Sequence, residues 1–425
     1  MIEKIELKNY RCYEHLKLSF KKKTNVLIGD NSSGKTTILR AIRSVLSSFF
    51  TGYSDENTLF IGLSKSDFTV LESTSTLVND TPINVNFDLL GLSAELVLNS
   101  IKSRTLRTPL KVLSKYGIEL QKTLFDKELN QIKELPLFAS FSTGDIHSIR
   151  KLPEKRFMKY SHKPSFGYYE CMLGDGLFHY WTKRLLALKE GGKGNIELEC
   201  VRQAIQCALG VNGCNIINDM EIRFIQEKVY YFFIDGREVV SDNLSDGYAR
   251  LVNIVTDLAF RCALLNQGYY GVDACQKTSG TVLIDEIDLH LHPNLQALVL
   301  KGLQNAFPFL QFIVSTHAPM VMTSIKSNEE NVIYKLIFTT EKGYEVNEVE
   351  LYGMDASSII DVVLDTTPRS KEVDEELKKL FYFIDEDQYE EANQLLAEMK
   401  LEFGDSLPEL IKAESMINFL RTGND

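Results

Sequence analysis

Residues 25–42 read NVLIGDNSSGKTTILRAI, and this stretch decides the fold. An apolar run, Asn25–Ile28, leads into a glycine-rich turn, and apolar residues then recur at helical spacing over Ile38–Leu46. The turn, Gly29–Thr36, matches the pattern G-x-x-x-x-G-K-[ST] without a mismatch. In such a loop the backbone N–H groups surround phosphate oxygens, and the helix N-terminus adds its positive end. The stretch therefore predicts an α/β fold with a nucleotide phosphate site.

The residues of this loop have separate predicted roles. Lys35 is expected to reach the outer phosphates of ATP and to act in catalysis, and the Thr36 hydroxyl is expected to bind Mg²⁺. The predicted ATP contacts are Gly29, Asn31, Ser32, Ser33, Gly34, Lys35, Thr36 and Thr37.

Two further strand ends supply the expected chemistry. The apolar run Thr281–Ile284 ends in Asp285 and Glu286. We expect Asp285 to hold Mg²⁺ and Glu286 to orient and deprotonate the attacking water. His317 ends another apolar run, 32 positions after Asp285, where it would donate a hydrogen bond to charge developing on the γ-phosphate.

The segment Asp288–Pro293 contains two histidines, His290 and His292. Their spacing of two does not suit a metal pair on a helix, which favours three or four, and no third ligand is evident. The segment is interpreted as a turn and helix start at an interface between two copies of the chain.

The string Leu244–Tyr248, LSDGY, lies 40 positions before the acidic pair, counted from Ser245 to Asp285. Ser245 is a natural N-cap for a helix that continues to Asn266. A capped helix N-terminus also binds anions. Because residues 29–37 already enclose the phosphates of their own nucleotide, the phosphate for Ser245 and Gly247 should come from a second copy.

Composition is typical of a globular protein, with 44% hydrophobic and 25% charged residues. The N-terminus lacks an apolar signal segment, and seven scattered cysteines suggest reduced thiols, so we expect a cytoplasmic protein that does not enter a membrane. The net charge is −11, yet residues 101–163 carry 14 Lys/Arg against 6 Asp/Glu. Residues 365–425 carry 7 against 16. A basic middle and an acidic tail fit a protein that binds an anion in one place and something else at its end, and they equally fit two ordinary solvated faces.

The predicted head covers residues 1–350: an N-terminal lobe at 1–90, a helical and basic insertion at 91–220, and a C-terminal lobe at 221–350. Within the insertion, residues 92–133 are interpreted as amphipathic helix with breaks. A single helix is expected near 295–304. Residues 351–425 form a predicted helical domain joined through Thr366–Pro368, and we expect it to bind a partner.

Together the phosphate loop, LSDGY, the acidic strand end and the block "DEIDLHLHP … VSTHAP" resemble the ABC-type ATPases of the SMC, RecF and OLD lineage. The resemblance covers roughly residues 1–50, 135–185 and 220–330. It implies an ATPase head with a P-loop parallel sheet, an antiparallel β lobe and a helical insertion. It also implies a homodimer or higher homo-oligomer with composite ATP sites.

Several members of this lineage differ from the chain. The insertion is too short for a long coiled-coil arm. Asp385-Glu386-Asp387 has the letters of a nuclease DxD motif, but it falls between two amphipathic helices and predicts helix–turn–helix. Transporter subunits usually carry LSGGQ and a glutamine loop. Here Ser142 and Thr143 occupy a place similar to that loop, and the first-lobe metal contact stays open.

The stretches "ELPLFASFSTGD" and "GYYECMLGDGLFHYWTKRL" and the tail look like PtuA-like ATPase subunits of Septu-type and retron-associated antiphage systems. That resemblance implies control of a separate HNH nuclease, DNA as a target of the complex, and in some systems a retron reverse transcriptase with its DNA. The alternative is a RecF-type repair loader that binds DNA in an ATP-dependent way without a nuclease. A transporter ATPase would need a membrane permease as partner.

Overall fold

The structure, a computed structural model, describes residues 1–69, 81–142, 163–174, 177–190, 195–341, 343–363 and 370–422. The chain forms two compact units, Met1–Met354 and Asp355–Asp425. Thr143, the basic residues 144–162 and the connection Thr366–Pro368 lie outside the described residues. Within the described ranges no helix combines the length and apolarity needed to cross a bilayer.

The described residues of the first unit form three sheets. Their strands are β1 (Ile2–Tyr10), β2 (Tyr13–Ser19), β3 (Thr24–Gly29), β4 (Ile83–Leu89), β5 (Leu92–Leu98), β6 (Leu137–Phe141), β7 (Ile217–Arg223), β8 (Lys228–Phe233), β9 (Glu238–Val240), β10 (Gly280–Ile284), β11 (Leu310–Ser315), β12 (Asn331–Thr339) and β13 (Gly343–Val349).

The central sheet has six strands in the order β13-β12-β3-β11-β10-β6. Five of them run parallel, and β13 is an antiparallel edge. Every residue of β3, β10 and β11 is buried, as expected for the nearly continuous apolar strands of a parallel sheet. Because parallel strands end at one edge, the residues after β3, β6, β10 and β11 gather there. The predicted α/β architecture is confirmed.

A four-stranded antiparallel sheet, β2-β1-β4-β5, forms the predicted antiparallel lobe. The helical interpretation of residues 92–133 is wrong for 92–98, which form β5 and pair with β4. The turn between them uses Leu90 and Gly91, both at positive φ, as a tight hairpin requires. A third sheet, β7-β8-β9, contains a hairpin in which β8 and β9 pair antiparallel.

The α-helices in the described part of the first unit are α1 (Lys35–Ser47), α2 (Lys111–Lys122), α3 (Phe178–Glu190), α4 (Asn195–Leu209), α5 (Asp246–Tyr270), α6 (Ala274–Lys277), α7 (Pro293–Gln296), α8 (Val299–Ala306) and α9 (Pro319–Thr323). The single helix expected near 295–304 is in fact two, α7 and α8, which are separated at Ala297 and Leu298.

The second unit begins with a short helix, α10 (Ala356–Ser358), and continues with α11 (Lys371–Asp385), α12 (Tyr389–Phe403) and α13 (Pro408–Thr422). Helix α11 ends at Asp385, and Asp387 takes a positive φ in the following turn. The predicted helix–turn–helix at the DxD letters is therefore confirmed. The three long helices share a core of Leu377, Leu380, Ile384, Ala392, Leu396, Met399, Leu410, Ala413 and Ile417.

Candidate functional site

The phosphate loop links β3 to α1 and depends on two glycines. Gly29 has φ 140° and Gly34 has φ 95°. A Cβ at Gly29 would lie 2.4 Å from the Leu336 carbonyl oxygen, and one at Gly34 would lie 2.1 Å from the Tyr13 hydroxyl. No other residue type fits either position. The close neighbours therefore fix the curvature of the loop.

Lys35 is the buried cation of this loop, with 7% of its surface exposed. Its Nζ donates to the carbonyl oxygens of Gly29 and Asp30, each at 2.8 Å. Burial lowers the pKa of Lys35, and the nearby carboxylate of Asp285 acts in the opposite direction. The ammonium group is thus held inside the loop, where it can donate hydrogen bonds to phosphate oxygens.

Hydrogen bonds join the ends of β10 and β11 to the first turn of α1, beside Lys35. The Thr36 hydroxyl donates to Asp285 Oδ2 at 3.2 Å, and the Ser315 hydroxyl donates to Asp285 Oδ1 at 2.5 Å. The Glu286 N–H donates to Ser315 Oγ at 2.8 Å. A hydroxyl and a carboxylate at this separation are the hard oxygen ligands that Mg²⁺ prefers, with its other positions filled by water and phosphate. Thr36 and Asp285 therefore fit the predicted metal-binding pair.

Glu286 has a φ of 50°, a left-handed conformation that is strained for a residue with a side chain. Such strain persists only where the surroundings impose it, and it concentrates at functional sites. Here the hydrogen bond from the Glu286 N–H to Ser315 holds the backbone. Glu286 and His317 line the same cavity of about 270 Å³.

His317 follows β11 and is half-buried. Burial lowers the pKa of His317, and the adjacent Lys35 cation lowers it further. At neutral pH the imidazole is therefore uncharged, with one N–H available to donate to an oxyanion. The preceding Thr316 hydroxyl donates to Asp288 Oδ1 and ties this strand end to the next turn.

Most of the residues predicted for the site line this cavity. Those that do so are Asn31, Ser32, Gly34, Lys35, Thr36, Thr37, Asp285, Glu286 and His317. Gly29 takes part through its carbonyl oxygen, which accepts from Lys35, and Ser33 is buried in the loop. Ser245 and Gly247 do not line the cavity.

Ser245 takes the N-cap position of α5 and is exposed, but its side chain makes no capping hydrogen bond. Ser245 is therefore the N-cap residue, as predicted, but it lacks the side-chain hydrogen bond that is usual at this position. Gly247 packs so closely on the next turn that a Cβ would lie 2.3 Å from the His290 carbonyl oxygen. Arg250, one turn along α5, donates to the Asp285 carbonyl oxygen at 2.8 Å. The LSDGY helix is thus fixed to the acidic strand end of its own head.

The turn at Asp288–Pro293 precedes α7, as the sequence predicts. His292 is the N-cap of that helix, and its Nδ1 accepts from the Asn294 N–H at 3.4 Å. His290 lies at φ 63° in the turn. That this turn meets a second copy stays a prediction.

The sequence did not point to Ser315, Cys12 or Tyr344 as site residues. Ser315 is the last residue of an apolar strand, and the polar end of that strand was the available signal. Cys12 and Tyr344 line the cavity. The Tyr344 ring lies edge-on to Tyr13 with a centroid separation of 5.2 Å, and the Tyr13 hydroxyl donates to the Ser33 carbonyl oxygen. Tyr344 belongs to β13, which was not predicted as a strand.

Two protein-family models match the chain. The family described as "AAA ATPase domain" matches residues 1–166. The family described as "AAA domain, putative AbiEii toxin, Type IV TA system" matches residues 100–323, more than half of the chain.

Three relatives illustrate how far the similarity extends. The "Retron Vc95 probable ATPase" of Vibrio cholerae serotype O1 biovar El Tor is 27% identical over 391 residues, which cover 78% of this chain and 74% of the relative. The "Septu protein PtuA" of Bacillus thuringiensis is 25% identical over 342 residues, which cover 77% and 74%. The "DNA replication and repair protein RecF" of Bacillus mycoides (strain KBAB4) is 61% identical, but over 41 residues, which cover 10% and 11%.

In sequence, this RecF relative matches a short segment, whereas the retron ATPase and the Septu protein PtuA match most of the chain. A phosphate loop, an acidic strand end and a family match over more than half of the sequence lead to one conclusion: the chain belongs to the family described as "AAA domain, putative AbiEii toxin, Type IV TA system".

Proposed function

We propose that this protein is the ATP-binding and ATP-hydrolysing subunit of a bacterial antiphage defence complex and that it controls a separate HNH-type nuclease. One observation carries the ATPase part of the proposal. Thr36, Asp285 and Ser315 are joined by hydrogen bonds at a single sheet edge, beside buried Lys35. The names of the retron and Septu relatives support the defence part.

Each residue at that edge has a role in the proposed reaction. The loop N–H groups and Lys35 bind the phosphates of ATP. Thr36 and Asp285 hold Mg²⁺, which when bound neutralises charge on the phosphate oxygens. Glu286 orients the attacking water and accepts its proton, and neutral His317 donates to the γ-phosphate.

In this proposal, a second copy of the chain completes the nucleotide-binding site. Ser245 is exposed at the N-terminus of α5 and Gly247 is buried two residues later, and neither residue lines its own head's cavity. A helix N-terminus attracts phosphate charge. We propose that two heads pair face to face, so that Ser245 and Gly247 of each copy close the ATP site of the other.

The second unit is the proposed docking element for the nuclease. Its three long helices have their own apolar core, so it can present a surface without disturbing the head. DNA is the proposed target of the complete complex. Where the gene cluster encodes a retron, the reverse transcriptase and its DNA product are proposed as additional partners.

Two assays test this proposal. Purified chain should hydrolyse ATP when Mg²⁺ is present, and Lys35→Ala should not. Co-expression with an HNH protein encoded beside the gene should give a stable complex whose DNA cleavage depends on both subunits. Cleavage of plasmid DNA by the purified chain alone with Mg²⁺ would contradict the assignment of DNA cleavage to a separate HNH subunit.

One observation favours the alternative, a RecF-type loader. The described part of the basic stretch has eight exposed cations around α2: Lys102, Arg104, Arg107, Lys111, Lys115, Lys122, Lys127 and Lys133. Such a surface binds nucleic acid through phosphate contacts and loses affinity steeply with salt. A loader should bind gapped or junction DNA in an ATP-dependent way with no HNH partner. Capture of an HNH subunit would exclude it.

A further inference from the structure

Arg237 lies at the tip of the turn between β8 and β9, and its side chain is 61% exposed. Asp235, in the same turn, accepts from the Arg237 backbone N–H at 3.0 Å and from Arg237 Nε at 2.8 Å. Gly236 between them has φ 88°, which lets the turn fold back tightly. The turn therefore holds one guanidinium group at the protein surface.

Aromatic rings connect this guanidinium to the LSDGY segment. The Arg237 Cζ lies 5.1 Å from the centroid of the Phe233 ring. The Phe233 ring in turn packs edge-on against Tyr248, with centroids 5.3 Å apart. Tyr248 is in the first turn of α5, three residues after Ser245. Arg237 is thus fixed beside the helix N-terminus that we propose receives the second copy's nucleotide.

Arg237 differs from the other basic side chains near the LSDGY segment in its exposure and its contacts. Residues 217–250 contain four basic side chains. Arg223 is held by Glu221 and Glu238, and Lys228 pairs with Asp242. Arg250 is buried and donates to Asp285. Of these four, Arg237 is the exposed cation in contact with the LSDGY residue Tyr248.

We propose that Arg237 contacts the triphosphate of the ATP bound by the second copy of the chain. This inference rests on the proposed function and adds a residue to the composite site. Asp246, exposed in the LSDGY segment, brings negative charge to the surface that must meet a polyanion. A cation supplied by the same copy offsets that charge.

The existing ion pair with Asp235 does not prevent this contact. Both side chains of the pair are more than half exposed, and exposed pairs contribute little because water screens them. A phosphate group offers more charge and accepts two parallel hydrogen bonds from one guanidinium. Lysine cannot reproduce that fork, so the contact distinguishes arginine from lysine.

The experiment measures ATP-dependent pairing and ATP binding separately. Pairing is followed by light scattering in the Glu286→Gln background with ATP and Mg²⁺. Arg237→Ala should weaken pairing by about tenfold or more, the loss expected for a hydrogen bond to a charged group, and Arg237→Lys should restore part of it. The matched control is Arg223→Ala, a partly exposed arginine of the same sheet, which should pair as the parent does.

ATP binding by a single head is measured with a fluorescent ATP analogue in the Ser245→Arg background, where pairing is blocked. Arg237→Ala should leave this affinity unchanged, because the contact lies across the interface. If Arg237→Ala weakened binding by the single head, or left pairing intact, the inference would be overturned. If Ser245→Arg itself failed to block pairing, the composite site of the proposed function would fall instead.

Discussion

Ser315→Ala is the substitution that most sharply tests how the sheet edge is organised. Ser315 Oγ donates to Asp285 Oδ1 and accepts from the Glu286 N–H, so one hydroxyl positions both acidic residues. A hydrogen bond to a charged group contributes about 1.5–3 kcal/mol. Glu286 is half-buried, so water can replace its lost partner and the second bond adds less. We expect the free energy of unfolding to fall by about 2 kcal/mol.

The larger effect should be on catalysis. Asp285 would keep its bond from Thr36 but lose the one that fixes its other oxygen, and strained Glu286 would lose its anchor. If about 2 kcal/mol is also lost from the transition state, turnover falls roughly 30-fold. ATP binding should change little, because Lys35 and the loop remain intact.

Steady-state ATP hydrolysis and thermal unfolding measure the two effects. The control is Ser48→Ala, a buried serine just after α1 whose hydroxyl bonds to the Val45 carbonyl oxygen. It should lose about 1 kcal/mol of stability and keep its turnover. Wild-type turnover in a folded Ser315→Ala protein would refute the reasoning.

Three more predictions concern the acidic pair, the histidine and the second unit. The Glu286→Gln variant should bind ATP but not hydrolyse it, so paired heads should accumulate when ATP is added, which light scattering detects. Rapid ATP hydrolysis by this variant would show that another group is the base. The pKa of His317 is lower in the folded protein than in the unfolded chain. As the pH falls below about 6.5, the unfolded chain therefore takes up this proton before the folded protein does, and the folded protein loses stability. Wild-type melting temperature should therefore drop more than that of His317→Gln between pH 7.5 and pH 5.5, and equal drops would count against this. Truncation after Met354 should spare ATP binding and lose the HNH subunit in a pull-down, and retention of the subunit would place its docking surface on the head.

The sequence predicted those segments whose structure depends on residues that are adjacent in the chain. The phosphate loop is such a part, because its glycines, lysine and threonine have fixed spacing and fixed neighbours. The buried strands β3, β10 and β11 are others, since short apolar runs ending in polar residues suit a parallel sheet.

Prediction was poorer where a distant partner decides the structure. The stretch LSAELVL in β5 has apolar residues that also fit a helical face, and its pairing with β4 decides in favour of strand. Tyr344 reaches the cavity because β13 pairs with β12, and Ser315 acts because two other strands end beside it. Neither fact can be deduced from adjacent residues. Ser245 shows the same limit, since its position could be predicted and its missing capping bond could not.

The central claim is that the LSDGY segment of a second copy completes each ATP-binding site. Mixing two inactive variants, Lys35→Ala and Ser245→Arg, tests it most directly. In a mixed pair, the Ser245→Arg chain supplies an intact phosphate loop and the Lys35→Ala chain supplies an intact LSDGY segment, so one of the two sites is complete. With random two-fold pairing, the equimolar mixture should recover roughly a quarter of wild-type ATP hydrolysis. Full activity of Ser245→Arg alone, or a mixture no more active than its parts, would contradict the composite site.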